Sequence, residues 1–290
     1  MSESRGEKIF RIINNIVMIL LAFICIYPMV YVISASFSSM RALDAGEVIL
    51  LPKGFNIGAY KAVLEESDIW VGYANTIFYT VVGTAFSLFL TVCGAYPLSK
   101  KKFPGKGIVT TILVFSMWFA AGLIPNYLNY VELGLLNTRT AIILHGACSG
   151  MYVVIMRTFF QSIPDSLEEA ALIDGANQIQ ILIKIYLPLS LASFATIGLM
   201  YALARWNGYI WSMILLKDES LQPLSVILKR LVVDNTFSAG EAAAQDTVQD
   251  YSTKMLTYAI MVVSTLPMLL AYPFIQKYFE KGMMVGAVKG

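Results

Sequence analysis

Ile12–Ile33 reads IINNIVMILLAFICIYPMVYVI, an unbroken run of 22 residues with no Asp, Glu, Lys or Arg. A helix rises 1.5 Å per residue, so about 20 apolar residues cross the roughly 30 Å hydrocarbon core of a bilayer. The stretch is long enough to span. A cleavable leader has an apolar region of only about 7–15 residues. Despite Arg5, Lys8 and Arg11 ahead of it and Ser34-Ala35-Ser36 behind it, the segment therefore reads as a retained span.

Similar runs recur along the chain. Ile69–Ser99, Gly107–Val131, Thr140–Met156 and Met255–Gln276 carry no charge, and Ile185–Leu216 carries only Arg205. They predict six transmembrane helices at about 12–36, 73–97, 108–129, 140–160, 188–216 and 255–276. The fold class expected is an all-α integral membrane protein, one transmembrane domain over 1–290. Composition agrees: of 290 residues 57% are hydrophobic and 14% charged, against about 25% charged in soluble domains. A net charge of +2 excludes a nucleic-acid footprint. With one histidine, His145, and three scattered cysteines, no His-based metal site or Ser-His-Asp triad can be built, and no metal is expected.

Lys and Arg concentrate in cytoplasmic flanks. Four of the nine residues Ser99–Gly107 are lysine and none is acidic. This places that loop, and with it both termini, in the cytoplasm of a cell-membrane protein. The long outer segments are then 37–70 and 217–254; the latter contains Asp234–Asp250, a polar stretch suited to an external partner. Arg205 lies 17 residues after Pro188, about 25 Å up a straight helix, so it is expected near the outer interface, snorkelling to water. His145 reads as a packing residue, and Gly146 with Gly150 as a small-residue contact.

The one long inner loop, 161–187, continues into Pro188 and reads QSIPDSLEEAALIDGANQIQILIKIYLP over Gln161–Pro188. Ser162 with Asp165, and Ser166 with Glu169, fit helix-capping spacing, and Pro164 suits a first turn. Ile163, Leu167, Ala170, Ala171 and Asp174 share a face beside Glu168 and Glu169, and Gly175 ends the helix. A second short helix carries Ile179, Leu182, Ile183 and Tyr186. Eleven residues span about 16 Å, too short to cross. Surface helices that rest on lipid favour Lys and Arg; this one carries Asp165, Glu168, Glu169 and Asp174, which favours a basic protein partner.

Glu169-Ala170-Ala171-x-x-Asp174-Gly175-Ala176, followed by Ile185-x-Leu187-Pro188, resembles the EAA motif of permease subunits of bacterial ATP-binding-cassette importers. Lys102-Phe103-Pro104-Gly105-Lys106 and Trp206-Asn207 are similar to the carbohydrate branch of that family. The C-terminal Gln276–Phe279 and Gly286–Gly290 are similar to its maltose-importer smaller subunits. Ala192 departs from the pattern, which usually has a second proline there, and the departure bears on the bend opening span five. The resemblance implies a type I importer permease fold with a cytoplasmic coupling-helix loop. It implies an oligo- or polysaccharide cargo, a second permease subunit forming a heterodimer, two cytoplasmic ATPases and an extracellular or periplasmic solute-binding protein. ATP and Mg would sit on the ATPases, since the chain has no GxxxxGK[ST] loop; the chain itself would be no enzyme and bind no cofactor. Glu169, Ala170, Ala171, Asp174, Gly175, Ala176, Leu187 and Pro188 would couple to the ATPase, with Glu169 facing a basic residue. Sugars are held by aromatic faces and polar groups, which makes Trp118, Tyr152, Tyr201, Trp206 and Asn207 the candidate path residues. The same machine with a non-sugar solute is the alternative. A secondary transporter or an intramembrane enzyme would need ionisable groups inside the spans, and none holds an Asp or Glu.

Overall fold

The computed structural model describes residues 5–231, 252 and 254–270. All regular structure among them is helical. They divide into two compact units, the residues up to Ile69 with Leu228–Pro267, and Trp70–Ile227 with the residues after Pro267.

The first unit holds α1 (Arg5–Ser36), α2 (Met40–Asp44), α3 (Gly58–Glu65) and a helix over Lys254–Leu270. None of the apolar window of α1 is buried; a helix apolar on every side is a membrane span or a buried one. Past its end the chain is tied down by Ser34, whose hydroxyl donates to the Leu50 carbonyl at 2.6 Å, and by the Phe37 ring stacked on Tyr60 at 4.6 Å. Arg230 pairs with Asp68 at 2.6 Å. The expected sixth span starts as read and is helical to Leu270. Its remainder, the segment Asp234–Asp250 and the C-terminal motifs lie outside the described residues.

The second unit contains most of α4 (Ser67–Ser99), an unbroken span around the expected 73–97. The next three expected spans are not single helices. The third, 108–129, is α5 (Lys106–Trp118) and α6 (Leu123–Glu132), bent by 115°. The fourth, 140–160, is α7 (Arg139–Leu144) and α8 (Gly150–Gln161), parted at Gly146, whose φ of +62° a side chain resists. Gly146 thus sits in a break instead of a helical pair, while Gly150 does pack closely, against Met117. The fifth, 188–216, is α12 (Leu191–Trp206) and α13 (Ile210–Leu215), interrupted at Asn207–Tyr209. Uncharged composition measures hydrophobic length; it does not see Gly, Ser and Asn interrupting the helix.

Between α8 and α12 lie α9 (Asp165–Ile173), α10 (Gln178–Ile181), one π turn (Leu182–Tyr186) and α11 (Leu187–Leu189). The chain bends by 83° into α12. Pro188 has no N–H to give and its ring crowds the carbonyl four residues back, so the wider π turn just before it relieves the clash. The bend therefore forms with Ala192 in place.

Val92, Ala95 and Leu98 of α4 pack with Val153, Met156 and Phe160 of α8, with Ile163, Ile181 and Tyr186 of the loop, and with Ile197 and Tyr201 of α12. At the other end of α4, Asn75 donates to the carbonyls of Ser220 and Gln222 at 2.8 and 3.1 Å, and the Thr76 hydroxyl accepts from Leu224 N at 2.8 Å. Gly72 lets this contact close: a Cβ there would lie 2.8 Å from Ile227 Cδ1 and 3.0 Å from Leu224 Cα. Overpacking of this kind costs about 1–3 kcal/mol. Gly72→Val should lower the thermal midpoint of the purified protein in detergent by several degrees; an unchanged midpoint would show that the contact is not close-packed.

Candidate functional site

The loop after α8 is built by short-range chemistry. Pro164 precedes α9 and leaves its first turn without a side-chain cap. The expected caps do not form there, because the Ser162 hydroxyl is spent on the Phe159 carbonyl at 2.7 Å, closing α8. The capping box is instead at α10: Asn177 Oδ1 accepts from Gln180 N, and Gln180 Oε1 from Asn177 N, each at 2.9 Å. Gly175 takes φ +81° between the two helices, as its position after the α9 stripe predicts.

The two adjacent glutamates face different ways. Glu168, its side chain 17% exposed, accepts from Lys100 Nζ at 2.7 Å and from the Tyr186 hydroxyl at 2.8 Å. Lys100 stands 4.1 Å from the Tyr96 ring centroid and 3.9 Å from that of Tyr186, a cation held between two aromatic faces. Lys101 pairs with Asp165, and Tyr96 donates to Gln178 Oε1 at 2.7 Å. These bonds lock the loop to the end of α4. Burial alone would push the Glu168 carboxyl up, but the hydrogen bonds from Lys100 and Tyr186 and the Lys100 charge outweigh it and hold the group below its ordinary range. Burial first, and then the Glu168 hydrogen bond, push the Tyr186 hydroxyl up, so it stays a donor.

Glu169 is exposed and holds no ion pair among the described residues, as is Asp174. Around them Leu172, Ile173, Ile179 and Ile183 are 47%, 86%, 68% and 56% exposed. The stripe expected on the second helix is therefore split: Tyr186 is buried and Leu182 packs against the core while Ile179 and Ile183 face out, and Ile181, not part of that stripe, is buried. The π turn widens the winding and rotates that register. Ala170 is exposed, Ala171 and Ala176 pack against the core cluster, and Leu187 packs there too, while Pro188 is exposed at the bend. The loop thus has one face bonded to its own protein and one bare apolar face carrying Glu169 and Asp174. The Lys100–Glu168–Tyr186 cluster was hidden behind the reading of Lys100 as a topology signal; its place one residue after an apolar helix, opposite an acidic loop, was the clue.

The expected path residues scatter. Trp118 is 81% exposed and does not line the cavity that holds Tyr201 and Asn207. Tyr201 is buried, with its hydroxyl 2.8 Å from Thr91 Oγ1 and accepting from Ser149 N at 3.0 Å, and Tyr152 meets its ring edge-on at 4.7 Å. Trp206 is half-buried away from the cavity; Tyr201 and Asn207 line one of about 540 Å³ together with Arg205, His145, Tyr209 and Trp211. The sequence reading passed over Tyr209 and Trp211. His145 is the packing residue expected, its ring 4.4 Å from Trp211. Arg205 is not at an outer interface. Its guanidinium donates to the carbonyls of Ile142 and Ile143 at 2.9 and 3.0 Å and to Ser87 Oγ at 2.9 Å, midway along α4. The bend before α12 makes a straight-helix ruler overestimate its height.

An unbroken span, bent helix pairs, and a cytoplasmic-type loop locked to a span while baring a carboxylate-rimmed face define a multi-pass permease. The chain belongs to the family described as binding-protein-dependent transport system inner membrane component, whose model matches residues 2–285. It is a permease subunit of an ATP-binding-cassette transporter. It is 38% identical to the polygalacturonan/rhamnogalacturonan transport system permease protein YtcP of Bacillus subtilis (strain 168), over 94% of this chain and 96% of that protein. It is 36% identical to protein LplC of the same organism, over 100% of this chain and 98% of that one. In three dimensions it matches a chain of a bacterial ABC transporter involved in the import of the acidic polysaccharide alginate, with a TM-score of 0.89 and 44% identity, covering 96% and 99% of the two chains.

Because Glu168 is held below its ordinary range, its contribution is present above the unfolded carboxyl value, near 4.3, and is lost as pH falls through the folded one. The protection of the α9 amides against hydrogen exchange, relative to their intrinsic rate at each pH, should fall over that acid range. Lys100→Met leaves a mostly buried carboxylate with one neutral donor, a loss of about 1–3 kcal/mol, and should accelerate the same amides at neutral pH. Unchanged protection in both conditions would mean that the cluster does not hold the loop.

Proposed function

We propose that this chain forms half of the translocation pathway of an ATP-driven importer for a carbohydrate, an oligo- or polysaccharide, in a bacterial cell membrane. It works with a second permease, two cytoplasmic ATPases that carry ATP and Mg, and an external solute-binding protein, and it has no catalytic activity of its own. The sugar permeases among its relatives support the cargo. The observation that carries the mechanism is the two-sided loop. The bare side of α9 and α10, with Glu169, Asp174, Ile173 and Ile179, is the surface offered to an ATPase cleft. The bonded side, through Glu168 and Lys100, passes its movement to α4. Gly175 sets the angle between the two short helices.

Reversing a charge against a basic partner turns attraction into repulsion, each about 4 kcal/mol at 4 Å and an effective dielectric near 20. Glu169→Lys should reduce co-purification of the ATPases tenfold or more and abolish uptake, while the chain still inserts. Gly175→Val forces a β-branched residue to φ +81°; it should keep the ATPases bound and lose transport. Normal uptake by both variants would reduce the loop to a connector.

Both termini are assigned to the cytoplasm on the lysines 100–106. With Cys25, Cys93 and Cys148 replaced, Lys101→Cys should react with an impermeant thiol reagent only in opened cells, and Glu47→Cys in intact cells stripped of outer layers. The reverse pattern would invert the orientation.

A further inference from the structure

The cavity of about 540 Å³ is enclosed by α7, the break after it, α12, and the turn into α13. Its depth follows from Arg205, whose Nη2 bonds Ser87. Ser87 lies 12 residues from the Ser99 end of α4, about 18 Å, and close to the midpoint of the apolar stretch 73–97. The cavity therefore sits at hydrocarbon depth, where an ionisable side chain marks a functional site by default. In transporters substrate sites gather at this level, beside interrupted helices.

Among the described residues Arg205 has no carboxylate partner. Its bonds go to two backbone carbonyls and a hydroxyl, all neutral, and its Nε is buried with no partner. No acidic residue lines the cavity. The cation cannot swing away to water either. The carbonyls of Ile142 and Ile143 grip one edge, and α4 makes room for it at Gly83, where a Cβ would stand 2.5 Å from the guanidinium. The result is a fixed, uncompensated positive charge. Beside it Trp211, its ring centroid 4.4 Å from that of His145 and tilted by 31° to it, offers an aromatic surface, and Asn207 and Tyr209 bring polar groups to the same space. An apolar pocket of a few hundred Å³ with a few convergent polar groups is the usual form of a small-molecule site.

We propose that this cavity is a transit subsite for one carboxylate-bearing sugar unit, a uronate, with Arg205 opposite the carboxylate and Trp211 against the face of the ring. The inference rests on the carbohydrate reading above and adds that this chain itself holds the cargo and that the cargo is anionic. Both Nη groups are already bonded to Ile142, Ile143 and Ser87, so Arg205 acts on the carboxylate through a charge held in place at low dielectric. The counter-charge that the protein omits is then supplied by each passing unit.

The test uses the assembled complex of this chain with its partner permease and ATPases, free of binding protein. It is titrated with trigalacturonate and with the carboxyl-reduced trisaccharide, and binding is read as fluorescence quenching that Trp211→Phe removes. The acidic sugar should bind at least tenfold tighter. Arg205→Gln should erase that preference, and Arg205→Lys, which keeps the charge and loses some of the bonds that fix its position, should retain part of it. Equal affinities in the wild type, binding of neither sugar, or a preference that survives Arg205→Gln overturns the proposal. Since Arg205 also ties down α7, a Gln variant that fails to assemble leaves the decision to the wild type and Arg205→Lys. Uptake by the reconstituted importer separates the two readings. Neutral oligosaccharide imported without any acidic preference at the permease removes only the charged subsite, whereas uptake of no saccharide removes the carbohydrate assignment.

Discussion

A helix that stops inside a bilayer leaves N–H and C=O groups in a medium with no water to satisfy them, and this permease interrupts its spans repeatedly. Its architecture depends on the side chains that close those ends. Arg205 takes the Ile142 and Ile143 carbonyls at the end of α7. The Tyr201 hydroxyl takes the Ser149 N–H that opens α8. Asn137, itself at φ 57°, accepts from the backbone N–H of Lys217 and Asp218 at 3.0 and 2.8 Å. Each of these groups comes from a different segment than the one it completes. The broken spans are thus cross-linked to one another by the same bonds that make the breaks tolerable.

That arrangement explains which parts of the fold could be read from the chain. α1 and α4 are single apolar runs whose hydrogen bonds stay within the helix, so counting uncharged residues located them. Spans three to five have the same composition but share their hydrogen bonding with distant segments, and no local count can show that. Arg205 is the clearest case. In the sequence it is a lone charge late in a span, and a straight helix carries it to the interface. The bend at Ser190 and the open carbonyls of α7 draw it back to the level of Ser87.

The loop was legible in kind and misread in detail. Its length, its acidity, Gly175 and the EAA spacing follow from local chemistry and appear in the structure where they were expected. Which carboxylate faces inward does not follow. Glu168 and Glu169 differ by about 100° on the helix, and either could be buried until the position of Lys100 is known. Lys100 ends a span 68 residues earlier, and its two aromatic neighbours come from α4 and from the π turn. Only the folded chain brings the three together.

Besides α8, which leads from the break at Gly146 into the loop, two routes of unequal stiffness join the loop and the cavity. One is α4, continuous from Thr91 and Ser87 at the cavity to Ser99, with Lys100 immediately beyond. Its only proline in this part, Pro97, lies in the last turn. The other runs through the π turn, the 83° bend at Ser190 and then α12. A wide turn followed by a sharp bend absorbs displacement, whereas a hydrogen-bonded helix about 18 Å long moves as a rod. In the proposed function, a push on α9 therefore reaches Arg205 through α4 more directly than through the π turn and the bend. Glu168, rather than the more visible Glu169, then decides whether a docked ATPase is felt at the cavity. On that proposal the exposed carboxylate holds the partner and the buried one makes the partner's motion count.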